Sequence, residues 1–130
     1  MPILHCKTRA AIMHRMSPVS ERTSQLLRGV LDVCLLAVLV DEPAYGYEMT
    51  RRLAARGLDV VGEGSIYPAL GRLERSGLVE PFQQPSNGGP PRKYYRVTPR
   101  GCSALDSWSR EWSETRTAID AVLNTREVKR

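Results

Sequence analysis

Apolar residues recur at helical spacing between residues 20 and 40. Leu26, Leu27, Val30, Leu31, Cys34, Leu35 and Val38 fall on one repeating face. From Val33 to Val40 every position is apolar. A surface helix needs only one apolar stripe. This half therefore predicts a helix covered on all sides, with a surplus for a second surface, in this chain or in a partner. Asp41-Glu42-Pro43 ends it. A short helix is expected over 46–56, with Met49 and Leu53 inward and Glu48, Arg51, Arg52 and Arg56 outward. Gly57 supplies its stop. An extended linker, 58–62, leads to a third helix starting near Gly64-Ser65. There Ser65 is the expected cap and Pro68 falls in the first turn. Ile66, Leu70 and Leu73 form its buried face. Tyr67, Gly71 and Arg75 form the opposite one, with Pro68 and Arg72 beside them, and Gly77 ends it.

Two extended runs follow, 78–83 and 92–98, around the turn-rich stretch 84–91. They predict a β-hairpin with a long tip, Tyr95 and Val97 sharing its inner face. Thr98-Pro99 reads as the N-cap and first position of a last helix, to about residue 124. Along that helix Leu105, Trp108, Trp112, Thr115, Ile119 and Val122 advance by alternating threes and fours, a heptad seam with one polar position. Three heptads are unstable alone and need a partner surface.

The element order predicts a mainly α fold with one small β-hairpin: a winged helix-turn-helix followed by a C-terminal dimerisation helix. Four parts are expected. Residues 1–19 form a basic, mobile extension with Lys7, Arg9 and Arg15 and no acid. Residues 20–98 form the DNA-binding domain, 99–124 the dimerisation helix and 125–130 a tail. The third helix suits a DNA major groove, and the hairpin suits the adjoining backbone or minor groove.

Charge fits a polyanionic partner without demanding one. Nineteen Lys and Arg against fourteen Asp and Glu give +5. Only eight basic against six acidic side chains lie between residues 42 and 98, so placement matters more than the total. The longest apolar run, eight residues, is far short of the roughly 20 that span a bilayer. No secretory signal is visible, and a cytoplasmic location without membrane association is expected. Cys6, Cys34 and Cys102 match neither a disulfide framework nor a zinc motif. His5, Cys6 and His14 make too weak a set for a metal site. No catalytic constellation or cofactor motif is present, so the chain reads as a non-enzyme.

Three segments together carry a resemblance. They are Tyr45-Gly46-Tyr47-Glu48, then Gly64-Ser65-Ile66-Tyr67-Pro68-Ala69-Leu70-Gly71-Arg72-Leu73-Glu74, then Gly88-Gly89-Pro90-Pro91-Arg92-Lys93-Tyr94-Tyr95-Arg96-Val97-Thr98. In this order and at these spacings, covering about residues 24–123, the chain resembles the PadR family of bacterial transcriptional regulators. Its single C-terminal helix resembles the small-type members. The resemblance implies a winged-helix homodimer on a palindromic operator in double-stranded DNA, usually a repressor. It also implies that the last helix packs on the first helix of the partner, and it leaves room for a small aromatic effector.

On this reading the DNA-binding candidates are Ser65, Tyr67, Pro68, Arg72, Arg75, Arg92 and Lys93. Arg72 has two readings, a DNA contact or an ion pair with a nearby Glu. Arg92 and Lys93 are placed at the base of the wing, where they would neutralise phosphates. Leu35, Leu105, Trp108, Trp112 and Ile119 are assigned to a dimer interface or effector pocket. Dimer core is the first reading of the two tryptophans, and stacking on a planar ligand the second. Two other functions stay open: a winged-helix protein-interaction module, and an aromatic-ligand-binding protein that does not read DNA.

Overall fold

A computed structural model of the chain describes residues 21–124. The extension 1–19, the tail 125–130 and the His5, Cys6 and His14 set lie outside the described residues. The single helix expected over 20–40 is two helices, α1 (Glu21–Arg28) and α2 (Leu31–Asp41). They diverge by 62°. The apolar repeat runs through Gly29, but glycine is a poor helix former and the backbone turns there. The Val30 N–H donates to the Leu27 carbonyl at 3.0 Å, and the Cys34 N–H to the Val30 carbonyl at 3.1 Å.

Helix α2 is the centre of the molecule. Leu31, Leu35, Leu36, Val38 and Leu39 are buried. Around it pack α3 (Gly46–Ala55), α4 (Glu63–Arg75), strand β2 (Gly89–Val97) and α5 (Pro99–Leu123). Most of the expected surplus of α2 is thus used within the chain. Leu35 in particular has no exposed surface, so it belongs to the core and not to a dimer interface or pocket. Arg52, expected to point outward, turns back to the C-terminal end of α2. It donates to the carbonyls of Val38 and Glu42 at 3.2 and 2.8 Å and meets the Glu42 carboxylate at 3.0 Å. The last carbonyls of a helix lack internal partners, and a cation there offsets the helix dipole.

Helices α3 and α4 end alike. Gly57 (φ +101°) and Gly77 (φ +76°) take the left-handed conformation. Leu58 and Leu78 then donate back to the carbonyls of Leu53 and Leu73, each at 2.9 Å, and pack on the core. At its start, α4 departs from expectation. Its N-cap is Gly62, whose carbonyl accepts from Ser65 and Ile66. Ser65 is therefore inside the first turn and caps nothing. Pro68 falls in the second turn, where it removes the hydrogen bond to the Gly64 carbonyl.

The hairpin is longer and its tip tighter than expected. Strand β1 (Val79–Ser86) pairs antiparallel with β2 through Ser86 and Gly89, leaving Asn87 and Gly88 (φ +70°) as the turn. The prolines expected to form a loop lie in the strands, with an irregularity between Gln84 and Ser86. A two-stranded sheet has two free edges, so proline can sit where no ladder bond is lost. Ala44 forms a short bridge to Tyr95, with mutual hydrogen bonds of 3.2 and 2.9 Å, which fixes the hairpin to the α2–α3 connection.

Thr98 caps α5 as expected, accepting from the Gly101 N–H at 3.1 Å and donating to the Gly77 carbonyl at 2.7 Å. Gly101 lies against the Leu78 carbonyl with no room for a side chain. Ala104, Leu105 and Trp108 pack on the core. Beyond them α5 runs out with Trp112, Ile119, Val122 and Leu123 exposed.

Two glycine substitutions should have opposite signs. Gly101→Ala drives a methyl group into the Leu78 carbonyl and Val97, and is expected to destabilise by about 1–3 kcal/mol. Gly64→Ala places its methyl in open space within a helix and is expected to stabilise by about 0.4–1 kcal/mol. Urea unfolding midpoints at equal m-value check both.

Candidate nucleic-acid interface

The outward face of α4 presents Tyr67, Gly71 and Arg75, with Ser65 and Pro68 also exposed. Tyr67 leans across the N-terminus of α3. A Cβ at position 46 would sit 2.5–2.7 Å from its hydroxyl and ring, so Gly46 is what lets the two helices meet. The Tyr67 hydroxyl donates to Glu63 at 3.1 Å. Desolvation, then the Glu63 carboxylate, push this phenol above its ordinary pKa, so it stays protonated and keeps its donor. Further along, Arg75 folds back over Gly71, its Nη1 3.3 Å from where a Cβ would be. The glycine seats the guanidinium rather than reading anything itself.

The wing approaches the same region. Tyr45, Gly46, Tyr67, Arg92, Lys93 and Tyr95 line a cleft of about 340 Å³. Arg92 and Lys93 pair with Gln84 and Gln83, midway along the hairpin rather than at its base. The Arg92 guanidinium lies 4.7 Å from the Tyr45 ring centroid, and Tyr45 meets Tyr94 edge-on at 5.2 Å. An arginine held on an aromatic face keeps its N–H donors free at the rim. Lys93 stands 5.5 Å from the Tyr95 ring and 4.0 Å from a Glu74 oxygen.

Ion pairing separates the cations of this region. Arg52, Arg56, Arg72, Lys93 and Arg96 each have a carboxylate within 4.0 Å. Among the described residues Arg51, Arg75 and Arg92 have none. Arg72 is the clearest departure from the rest of α4. Its Nη2 and Nε donate to the two oxygens of Asp32 at 2.8 and 3.4 Å, which raises the guanidinium pKa further. The partner is on α2, forty positions away. Tyr45 and Gly46 were missed as members of the site. Their signal was the Tyr45-Gly46 pair itself, a glycine at a helix start where a second backbone or ring must come close.

A second concavity lies between the α1–α2 break and α5. Asp32, Val33, Trp108, Glu111, Trp112 and Thr115 border this groove of about 440 Å³. Leu105 is half-buried on the core side of α5, while Ile119 lies farther out and half exposed.

The profile of the Transcriptional regulator PadR-like family matches residues 35–107. The chain belongs to the PadR-like family of transcriptional regulators. A PadR-like transcriptional regulator from Bacillus cereus is 38% identical, superposes with a TM-score of 0.67, and is covered over 96% of its length by 76% of this chain. A PadR family regulator from Eggerthella lenta is 34% identical with a TM-score of 0.71, matching 80% of this chain and 90% of its own. A transcriptional regulator from Mycobacterium tuberculosis is 35% identical over 78 residues, 60% of this chain and 71% of that protein. The PadR-like winged-helix fold, with its long last helix, is thus shared. The family is one of regulators, not of enzymes. Among the described residues no group of three or more metal-binding side chains is present, and no single helix is long and apolar enough to cross a membrane.

For this PadR-like regulator, Gly46→Ala should displace the Tyr67 ring with little cost in stability, because that ring is half exposed. The expected outcome is a shift of the Tyr67 ring resonances in NMR spectra at a thermal midpoint within a few degrees of wild type.

Proposed function

We propose that the protein is a homodimeric, cytoplasmic DNA-binding repressor that reads a palindromic operator. In each copy α4 would enter a major groove while the wing tracks the neighbouring backbone. The observation that carries this reading is the placement of Arg75 and Arg92. Both stand without a carboxylate partner on the α4–wing side, where Tyr67 and the α3 N-terminus also lie. Free cations on one face are what phosphates select. Arg75, Arg92 and Lys93 would hold phosphates, and Ser65, Tyr67 and Pro68 would approach backbone or base edges from the first two turns of α4.

The dimer reading rests on the outer half of α5. Trp112 and Ile119 are half exposed, and Val122 and Leu123 more so, on a helix that no other described element covers there. A second copy supplying its own α1, α2 and α5 would cover this edge. The tryptophan groove supports a further role as a site for a small aromatic effector, since Trp108 and Trp112 offer flat faces one helical turn apart.

Fluorescence anisotropy on DNA from upstream of the protein's own gene tests the reading, with a scrambled duplex of equal length as control. The expected result is preference for the upstream fragment and a steep fall of affinity with salt. Arg75→Ala and Arg92→Ala should each reduce the slope of log K against log salt by about one. Equal slopes in wild type and both variants would remove these residues from the interface. In sedimentation the wild-type chain should run at twice its monomer mass, and Ile119→Asp should shift it towards monomer.

A further inference from the structure

Arg72 and Arg75 are both arginines of the last turn of α4, yet they differ in what holds them. At 100° per residue, Arg72 lies about 140° around the helix from Tyr67, whereas Arg75 lies about 80° from it. Arg75 stays with the outward face and rests on Gly71. Arg72 leaves that face and closes on Asp32 with two of its donors. A planar guanidinium on both oxygens of a carboxylate fixes orientation as well as distance.

Asp32 is itself a residue of the core helix. It stands in the first turn of α2, the helix on which the whole core is built, and there a carboxylate also favours the helix N-terminus. It borders the groove floored by Trp108 and Trp112 on α5. The pair therefore ties the C-terminal turn of α4 to the end of α2 that faces α5. The pair acts on a helix otherwise seated by Tyr67 over Gly46 and by buried Ile66, Ala69, Leu70 and Leu73 along its length.

We infer that Asp32 is a positioning residue for DNA reading: by gripping Arg72 it sets the angle of α4 against α2, and it withholds the Arg72 guanidinium from phosphate. This rests on the DNA-binding reading above and refines it, because it assigns Arg72 to orientation and leaves the contacts to Tyr67, Arg75, Arg92 and Lys93. Its consequence is specificity rather than gross affinity. A helix whose seating shifts by a small angle still finds phosphates but aligns less well with base edges.

The test compares full-length wild type with Asp32→Asn, Arg72→Gln, their double variant and the exchanged pair Asp32→Arg with Arg72→Asp. Each is titrated against the duplex that wild type selects from a random pool and against a scrambled duplex, at several salt concentrations. Expected is a loss of about two- to fivefold in the selected-to-scrambled ratio for either single variant, the scale of an exposed ion pair. The double variant should lose no more than a single one, since both remove one interaction. The exchanged pair should recover part of the ratio, and Arg72→Gln should leave the salt slope unchanged. Thermal midpoints confirm that each variant is folded. The inference is overturned if Arg72→Gln lowers the slope by about one while Asp32→Asn tightens binding to both duplexes, for then Arg72 is a phosphate contact that Asp32 restrains. It is equally overturned if both single variants keep the wild-type ratio. If wild type itself selects no duplex, the DNA-binding reading fails first and this inference falls with it.

Discussion

Nearly everything in this fold follows from the burial of α2. An eleven-residue helix with apolar side chains on every side cannot lie on a surface, so each neighbouring element is recruited to cover part of it. Helices α3 and α4 take one flank, Tyr95 of the wing another, and Leu105 and Trp108 of α5 a third. The side proposed to face DNA is then whatever these covering elements turn outward. Met49 and Leu53 face in, so Tyr47 and Arg51 face out. Ile66, Leu70 and Leu73 face in, so Tyr67 and Arg75 face out.

One joint carries the geometry from α4 to α5. Gly77 ends α4, and its carbonyl accepts from Thr98, the residue that starts α5. The Thr98 N–H donates to Leu78 at 3.0 Å, and Gly101 packs directly on the same carbonyl group. The base of the wing passes through this joint, since Val79 pairs with Val97. Three elements thus meet where no side chain separates their backbones. Motion at this point would cost several hydrogen bonds together, so α5 and the end of α4 behave as parts of one body.

The buried faces of the helices were legible from spacing alone, and so were the glycine stops at Gly57 and Gly77 and the Thr98-Pro99 start of α5. Each depends on residues within a few positions of one another. The misreadings share a cause too. The apolar repeat crosses Gly29 without interruption, so periodicity hides a bend that only backbone cost reveals. Pro85, Pro90 and Pro91 look like loop residues until the sheet is known to have just two strands. Ser65 looks like a cap because the pattern does not show that Gly62 can end the extended linker. Arg52 and Arg72 look free or locally paired in the sequence, yet both reach partners beyond their own helix. The acid that holds Arg72 lies forty positions away, beyond any local pattern.

That long-range partner changes how a signal could pass through the molecule. With α5 and the end of α4 joined at Gly77 and Thr98, an occupant of the tryptophan groove has little freedom to act by bending that joint. The groove does, however, border the carboxylate that holds Arg72. On the proposed reading, an occupant that drew on Asp32 would weaken the hold on α4, and by linkage DNA that aligns α4 would weaken the hold on the occupant. The effect is bounded by the strength of one solvent-accessible ion pair in each copy, a few-fold in affinity. In the proposed dimer a larger response would come from the spacing of the two copies, where a small rotation of α5 is magnified over the outer turns of a helix about 37 Å long. The exposed Trp112, Ile119 and Val122 edge is where that second contribution would be set.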